Sequence, residues 1–255
     1  MRKIRYKSYI ICTSPRSGST HLCGLLASTG ASGNPDSHFH TPSLKRWLDN
    51  YQLSEVEFAS RWDMLRAIFK AALNRGAKET GVFGLRMQRG SFDFFIRQAG
   101  RLHPECTSDL ERIEAAFGPT LFIHLNRDSK LDQAISLVKA NQSGLWHRAA
   151  DGTELERLSE PREPVYDADE IANSIAEVSE MRDAWRGWFE KENIQPLQMS
   201  YDELSKDPQK AVETVLDALG VDTAIANDVR PRVAKLADAT NKEWAERFLK
   251  ERGLN

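Results

Sequence analysis

Residues 8–13, Ser-Tyr-Ile-Ile-Cys-Thr, form an apolar run rich in β-branched side chains that stops at Ser14-Pro15, and an amphipathic stretch follows from Thr20 to Ser28. A short run that is apolar throughout suits a strand buried on both faces, the strand type of parallel sheets covered by helices. The unit is therefore strand, loop, helix. Apolar segments recur at 80–87, 120–126 and 196–200, and helical periodicity occupies 91–102, 108–117, the segment from 129 to about 141, and 167–193. Ser54-x-x-Glu57 reads as a capping box ahead of a helix that starts at Phe58. Two polar segments without periodicity, 30–53 and 142–166, read as loops that shape a pocket. Helices alternating with buried strands predict an α/β fold, one parallel sheet flanked by helices on both faces, in a single domain over 1–255.

Thirty-five Lys plus Arg against thirty-seven Asp plus Glu leave a formal charge of −2, without the basic excess that duplex nucleic acid or an anionic bilayer demands. Any anion must be held by a local site. The apolar runs are too short to span a bilayer, and the N-terminus enters the first strand without a signal-peptide core, which predicts a soluble cytoplasmic protein. Cys12, Cys23 and Cys106 contain no C-x-x-C pair, so they give neither a disulfide framework nor a zinc ribbon.

The loop Cys12-Thr-Ser-Pro-Arg-Ser-Gly-Ser-Thr20 sits where a strand hands over to a helix. Unpaired backbone N–H groups and the positive end of the helix dipole converge there, which suits a phosphate. Gly18 lets the backbone approach a ligand, Ser17, Ser19 and Thr20 add hydroxyls, and Arg16 adds a charged fork. The loop departs from the nucleoside-triphosphatase pattern G-x-x-x-x-G-K-[ST]: Thr13 stands at the first Gly and Ser19 at the Lys. The strand 120–126 ends in Asn126-Arg127 without an acidic residue for magnesium, so kinase chemistry is disfavoured. Cys12 lies four residues before Arg16, too close for a phosphatase C-x5-R loop, and no G-x-S-x-G elbow occurs. A Ser/Gly-rich helix cap without any ligand gives the same local pattern.

Arg127 stands at the carboxyl end of its strand, and Ser136 follows nine residues on, so the two could grip a second phosphate. A surface Arg paired with Asp128 or Asp132 is the plainer alternative. Together the two segments resemble those of the sulfotransferase superfamily, whose donor is 3′-phosphoadenosine 5′-phosphosulfate (PAPS). PRSGST at 15–20 is similar to that family's 5′-phosphosulfate loop, HLNRDSKLDQAIS at 124–136 to its 3′-phosphate segment, and YDELSKDPQKAVETVLDALG at 201–220 to the segment after its last core strand. TSPRSGSTHLCGLLASTGASGNP, GVFGLRM, DQAISLVKANQSGLW and NKEWAERFLK resemble the bacterial trehalose 2-sulfotransferase and lipopolysaccharide-type sulfotransferase family across nearly the whole chain.

The resemblance implies a P-loop NTPase-like parallel sheet that binds PAPS without a metal and transfers its sulfuryl group to a hydroxyl of a carbohydrate or glycolipid, in a protein that forms a homodimer. It places the donor on Pro15, Arg16, Ser17, Gly18, Ser19, Thr20, Arg127 and Ser136, and the acceptor near Ser14, Pro35, Ser37 and Trp146. Arg16 and Arg86 would stabilise the departing phosphate and the sulfuryl group. One position departs from the family: the pattern G-x-P-x-E-x-F carries its catalytic base at the Glu, whereas here Gly33-Asn-Pro-Asp-Ser-His-Phe39 puts Ser37 in that slot. His38 is the first substitute base expected and Asp36 the second; in an extended backbone the two share a side, the carboxylate orienting the imidazole.

His38-x-His40 lacks a clear third ligand for a metal. Trp185, Trp188 and Phe189 read as core or dimer contacts, whereas Trp146 reads as a platform for a sugar ring, and Lys242 and Trp244 as residues that close over the donor nucleotide. Two alternatives stay open: a nucleotide-binding homologue impaired in catalysis, and a magnesium-dependent small-molecule kinase on the same fold.

Overall fold

A computed structural model describes residues 5–148, 151–229 and 239–254. Strand β1 (Ser8–Thr13) runs through a loop into α1 (Ser19–Ser28); α2 (Leu44–Tyr51) and α3 (Arg61–Ala77) precede β2 (Phe83–Gln88). Helices α4 (Arg89–Leu102) and α5 (Asp109–Phe117) return the chain to β3 (Thr120–Asn126). Then come α6 (Lys130–Ser143), a hairpin of β4 (Leu145–Arg148) and β5 (Glu154–Arg157), the long α7 (Ala168–Lys191) and β6 (Leu197–Ser200). Helices α8 (Tyr201–Lys206), α9 (Pro208–Leu219) and α10 (Ala239–Arg252) complete the described chain.

The central sheet has the order β2-β1-β3-β6 and every pairing in it is parallel. β1 is flanked by β2 in register Ser8↔Phe83 and by β3 in register Ser8↔Thr120. The chain thus crosses first to one side of β1 and later to the other. At such a switch the loops leaving the carboxyl ends of the strands part, and a ligand crevice opens between them.

Alternation along each strand divides the core. Ile10 and Cys12 of β1, Phe83, Leu85 and Met87 of β2 and Phe122 of β3 face a cluster with α2, α3, α4, α5 and α7. Tyr9 and Ile11 of β1, with Leu121, Ile123 and Leu125 of β3, face α1 and α9. Both faces are apolar, as the unbroken runs in the sequence require.

Three expectations need correction. The helix expected from Phe58 starts at Arg61: Ser54 heads only a short 3-10 turn and makes no side-chain cap, whereas Ser60 Oγ accepts from Asp63 N at 3.1 Å. The segment 30–53 contains α2, whose cap Ser43 accepts from Arg46 N. The segment 142–166 is no featureless loop, because it folds into the β4–β5 hairpin with Gly152 at φ 92°. No helix among the described residues is long and apolar enough to cross a membrane.

Candidate active site

The loop after β1 is held from beneath by side chains. Trp185 Nε1 donates to Thr13 O at 2.9 Å, the Thr13 hydroxyl donates to Leu125 O at 3.1 Å and is also hydrogen-bonded to the Ser17 hydroxyl. Gln133 Nε2 donates to Ser14 Oγ at 2.9 Å and to Pro15 O at 2.7 Å. Ser14 and Ser17 are both buried. They shape the loop from inside rather than lining the cavity above it, and the expected ligand contacts of these two hydroxyls are corrected accordingly.

Arg16 and Gly18 both have positive φ, 61° and 84°, and the two left-handed residues turn the chain from strand to helix. Gly18 is the N-cap of α1 and supplies no side-chain cap, so the first-turn amides keep their anion-binding character. The reason for a glycine differs from the expected approach to a ligand. A Cβ at Gly18 would lie 2.2 Å from Tyr201 Cδ2, so the missing side chain makes room for an aromatic ring of α8.

Above the loop lies a cavity of about 680 Å³ lined by Pro15, Arg16, Gly18, Ser19 and Thr20, together with Asp36, Ser37, Arg86, Arg127, Ser136 and Trp146. Arg16 Nε donates to Ser136 Oγ at 3.0 Å and its NH1 to the Trp146 carbonyl. Burial, and secondarily the neighbouring Arg127, pushes the Arg16 guanidinium down to about 10. It remains charged at neutral pH. Arg127 lies over the Tyr201 ring, 5.0 Å to the centroid, with its NH2 3.8 Å from Asp132 Oδ2, and its buried Nε has no hydrogen-bond partner. Two arginines thus lie close enough to repel each other, and one of them carries a buried donor without a partner.

Arg86 crosses the other side of the cavity. Its Nε donates to Ser37 Oγ at 2.8 Å, its NH1 to Thr20 Oγ1, and its NH2 lies 3.5 Å from Asp36 Oδ1. The Asp36 carbonyl accepts Arg86 N at 2.9 Å, which clips this segment to the edge of β2.

His38 is elsewhere. Its N–H turns back to Asp36 O at 2.8 Å, so the backbone is not extended there and His38 does not share a side with Asp36. The imidazole is 2% exposed, packs 5.6 Å from the Phe83 ring and places Nε2 3.1 Å from Asn34 O. Gly76 leaves room for it, since a Cβ there would sit 2.7 Å from His38 Nε2. Burial, above the other influences, lowers its basicity. This histidine packs in the core under the site and does not line the cavity, which removes the geometric basis for a general base. Pro35 likewise packs inward, against Gly84.

Trp244 is buried 5.7 Å from the Tyr166 ring in a cluster of α6, α7 and α10, and Lys242 is exposed beside Glu246; neither lines the cavity. Trp185, Trp188 and Phe189 are core residues. His40 lines the cavity while His38 does not, and among the described residues no three His, Cys, Asp or Glu side chains gather as a metal group.

His147, Glu156 and Tyr201, none of them among the expected site residues, also line the cavity. His147 of β4 pairs with Glu156 of β5 in the hairpin register, which carries both onto the cavity wall. His147 Nε2 lies 3.0 Å from Thr20 Oγ1 and 3.3 Å from Glu156 Oε2. The clue was Asp151-Gly152, a dipeptide of tight hairpins, set between short segments of mixed polarity.

A family model described as Stf0 sulphotransferase matches residues 8–251. The trehalose 2-sulfotransferase of Mycolicibacterium smegmatis is 27% identical over 261 residues, covering 96% of this chain and 95% of that protein. The trehalose 2-sulfotransferase of Mycobacterium tuberculosis is 26% identical over 263 residues, with coverage of 96% and 95%. Among solved structures, a sulfotransferase from Alicyclobacillus acidocaldarius aligns with a TM-score of 0.44 at 14% identity, covering 95% of this chain and 91% of that one. The sulfotransferase domain of the Synechococcus PCC 7002 olefin synthase aligns with a TM-score of 0.42 at 16% identity, covering 94% and 93%.

Proposed function

Because the chain belongs to the Stf0 sulphotransferase family, we propose that it moves the sulfuryl group of PAPS to a hydroxyl of a carbohydrate or glycolipid. The observation that carries the donor half of this reading is the pair Arg16 and Arg127 on one cavity, with Arg127 Nε unpartnered. A nucleotide bearing two separated phosphate groups matches two separated cations and an uncapped helix N-terminus. The acceptor half rests on the trehalose 2-sulfotransferases to which the chain is similar and on Trp146, which lines the cavity and whose carbonyl accepts from Arg16. The cytoplasmic homodimer implied by the resemblance belongs to the same proposal.

When bound, the donor supplies an activated sulfuryl group whose leaving group is a stable bisphosphate. Arg16 and the first-turn amides of α1 take up the negative charge that grows on the departing 5′-phosphate, and Arg127 with Ser136 holds the 3′-phosphate. Arg86 and Thr20 line the space between that loop and Ser37, where the sulfuryl group would lie. Asp36 and Ser37 form the acceptor wall.

Thermal shift with 3′,5′-bisphosphoadenosine in the absence of magnesium, followed by transfer of labelled sulfate to a carbohydrate panel that includes trehalose, tests the reading. A rise in melting temperature and a labelled sugar are expected. Stabilisation by magnesium-ATP alone would favour a kinase. Donor binding without transfer to any acceptor would favour the impaired homologue.

A further inference from the structure

Ser37 cannot accept a proton near neutral pH, and His38 points away from the cavity, so neither of these two supplies the base. We propose that His147, on the β4–β5 hairpin, is the general base of the transfer and that Glu156 receives the proton from it. The inference rests on the sulfotransferase reading above and deepens it.

The geometry around Thr20 assigns the roles. Arg86 NH1 donates to Thr20 Oγ1, which leaves that hydroxyl's own proton to be given elsewhere, and His147 Nε2 lies 3.0 Å away. In the tautomer with its proton on Nδ1, the Nε2 lone pair accepts from the Thr20 hydroxyl, and this is the tautomer the proposed role requires. A basic nitrogen is thereby aimed at the first helical turn of the anion loop. An acceptor hydroxyl that enters there takes the place of the Thr20 hydroxyl as donor to Nε2. Charges face His147 from several elements: Arg16 on the loop, Arg86 on β2 and Glu156 on β5. Burial first, then Arg16 and Arg86, lowers His147 to about 4, so the imidazole is unprotonated at neutral pH. Glu156 Oε2, 3.3 Å from the same nitrogen, offsets the charge of the imidazolium once it forms. Its side chain is 44% exposed, so the proton can pass from Nε2 to the carboxylate and on to solvent.

Asp36 is placed less well. Its Oδ1 already accepts Ser37 N at 2.7 Å and faces Arg86 NH2.

The step balances. The acceptor oxygen forms a bond to sulfur while the bond from sulfur to the 5′-phosphate oxygen breaks; that electron pair leaves with 3′,5′-bisphosphoadenosine, and the hydroxyl proton goes to His147 Nε2.

The test compares wild type with His147→Ala, Glu156→Gln and Asp36→Asn, using labelled PAPS, trehalose and a panel of mono- and oligosaccharides. His147→Ala should lower kcat by about 100-fold or more, the usual scale of general base catalysis. Glu156→Gln, which keeps the side-chain shape at a position 44% exposed, should lower it by about 10-fold or more by the same reasoning. Both should keep the dissociation constant for 3′,5′-bisphosphoadenosine within about 3-fold, since neither residue is assigned to the donor. Free imidazole should restore turnover to His147→Ala, a recovery that a structural role would not produce. Full activity in His147→Ala, or a 100-fold loss in Asp36→Asn with His147→Ala unaffected, overturns this inference alone. Wild-type protein that neither binds bisphosphoadenosine nor transfers sulfate overturns the parent reading and this one with it.

Discussion

Arg16 Nε donates to Ser136 Oγ at 3.0 Å across 120 positions of sequence. One guanidinium thus ties the first anion loop to α6, and its second bond, to the Trp146 carbonyl, ties both to the hairpin. The two bonds fix the plane of the fork. A lysine would keep the charge and lose the fork. Arg16→Lys should therefore weaken 3′,5′-bisphosphoadenosine binding by about 10- to 100-fold, the loss of about 1.5 to 3 kcal/mol expected for a charged hydrogen bond. Ser136→Ala should cost less, because Arg16 keeps its bond to Trp146 and Arg127 still faces the 3′-phosphate. Titration calorimetry of the two variants checks both the loss and its order.

The turn at Gly18 admits no side chain. Its φ of 84° is unfavourable for any residue with a Cβ, and that atom would sit 2.2 Å from Tyr201 Cδ2. Gly18→Ala should lower stability by about 2 to 3 kcal/mol, combining left-handed strain with displacement of the ring. On a chain of this size each kcal/mol shifts the melting temperature by about 2 to 4 °C. The same change should weaken donor binding, since Arg127 rests over the displaced ring. Adding Tyr201→Ala should recover part of the lost stability by removing the clash. Melting curves of the single and double variants give the comparison.

The scaffold was legible because its signals are local. Unbroken apolar runs at 8–13 and 120–126 mark buried parallel strands, and the loop between Thr13 and Ser19 carries its chemistry in adjacent residues. Side-chain direction was less legible. His38 and Ser37 are neighbours, yet a tight turn sends one to the core and the other to the cavity, and the space that receives His38 is made by Gly76 of α3. Long-range pairing was harder still: His147 reaches Thr20 only because a hairpin, closed through Gly152, brings β4 and β5 together over the loop. A polar hairpin with little apolar alternation carries almost no periodicity to read.

Acid should loosen the fold through its buried histidines. His124 on β3 is 2% exposed, lies 5.1 Å from the Phe189 ring and has an unpartnered Nε2. Burial, followed by Arg182, lowers it to about 4 from an ordinary 6.5. Above about 6.5 both folded and unfolded chains hold it neutral, and its contribution to stability is fully present. Between about 6.5 and 4 the unfolded chain binds a proton that the folded chain refuses, so stability falls as pH falls, by about 3 kcal/mol at the acid end. His124→Phe should flatten the decline of the urea midpoint between pH 7 and 4. A remaining slope is expected, because His21, His38 and His147 are shifted the same way.

A carboxylate restored at position 37 offers an independent reading of the base. Ser37 Oγ accepts Arg86 Nε at 2.8 Å on the cavity wall, so a Glu side chain there would project into the same space beside the same guanidinium. In wild type a second base adds little, and Ser37→Glu should raise kcat by no more than about 3-fold. In the His147→Ala background it should return at least about 10-fold of the lost turnover, because general base catalysis depends on a basic atom within reach of the hydroxyl rather than on which element supplies it. The rescued enzyme should also show an acid limb in its rate profile that follows a carboxylate, with activity lost as the pH falls through the carboxylate range. Steady-state rates from pH 4 to 8 for the single and double variants measure both effects. A double variant as slow as His147→Ala would mean that the acceptor hydroxyl lies on the hairpin side of the cavity, out of reach of position 37.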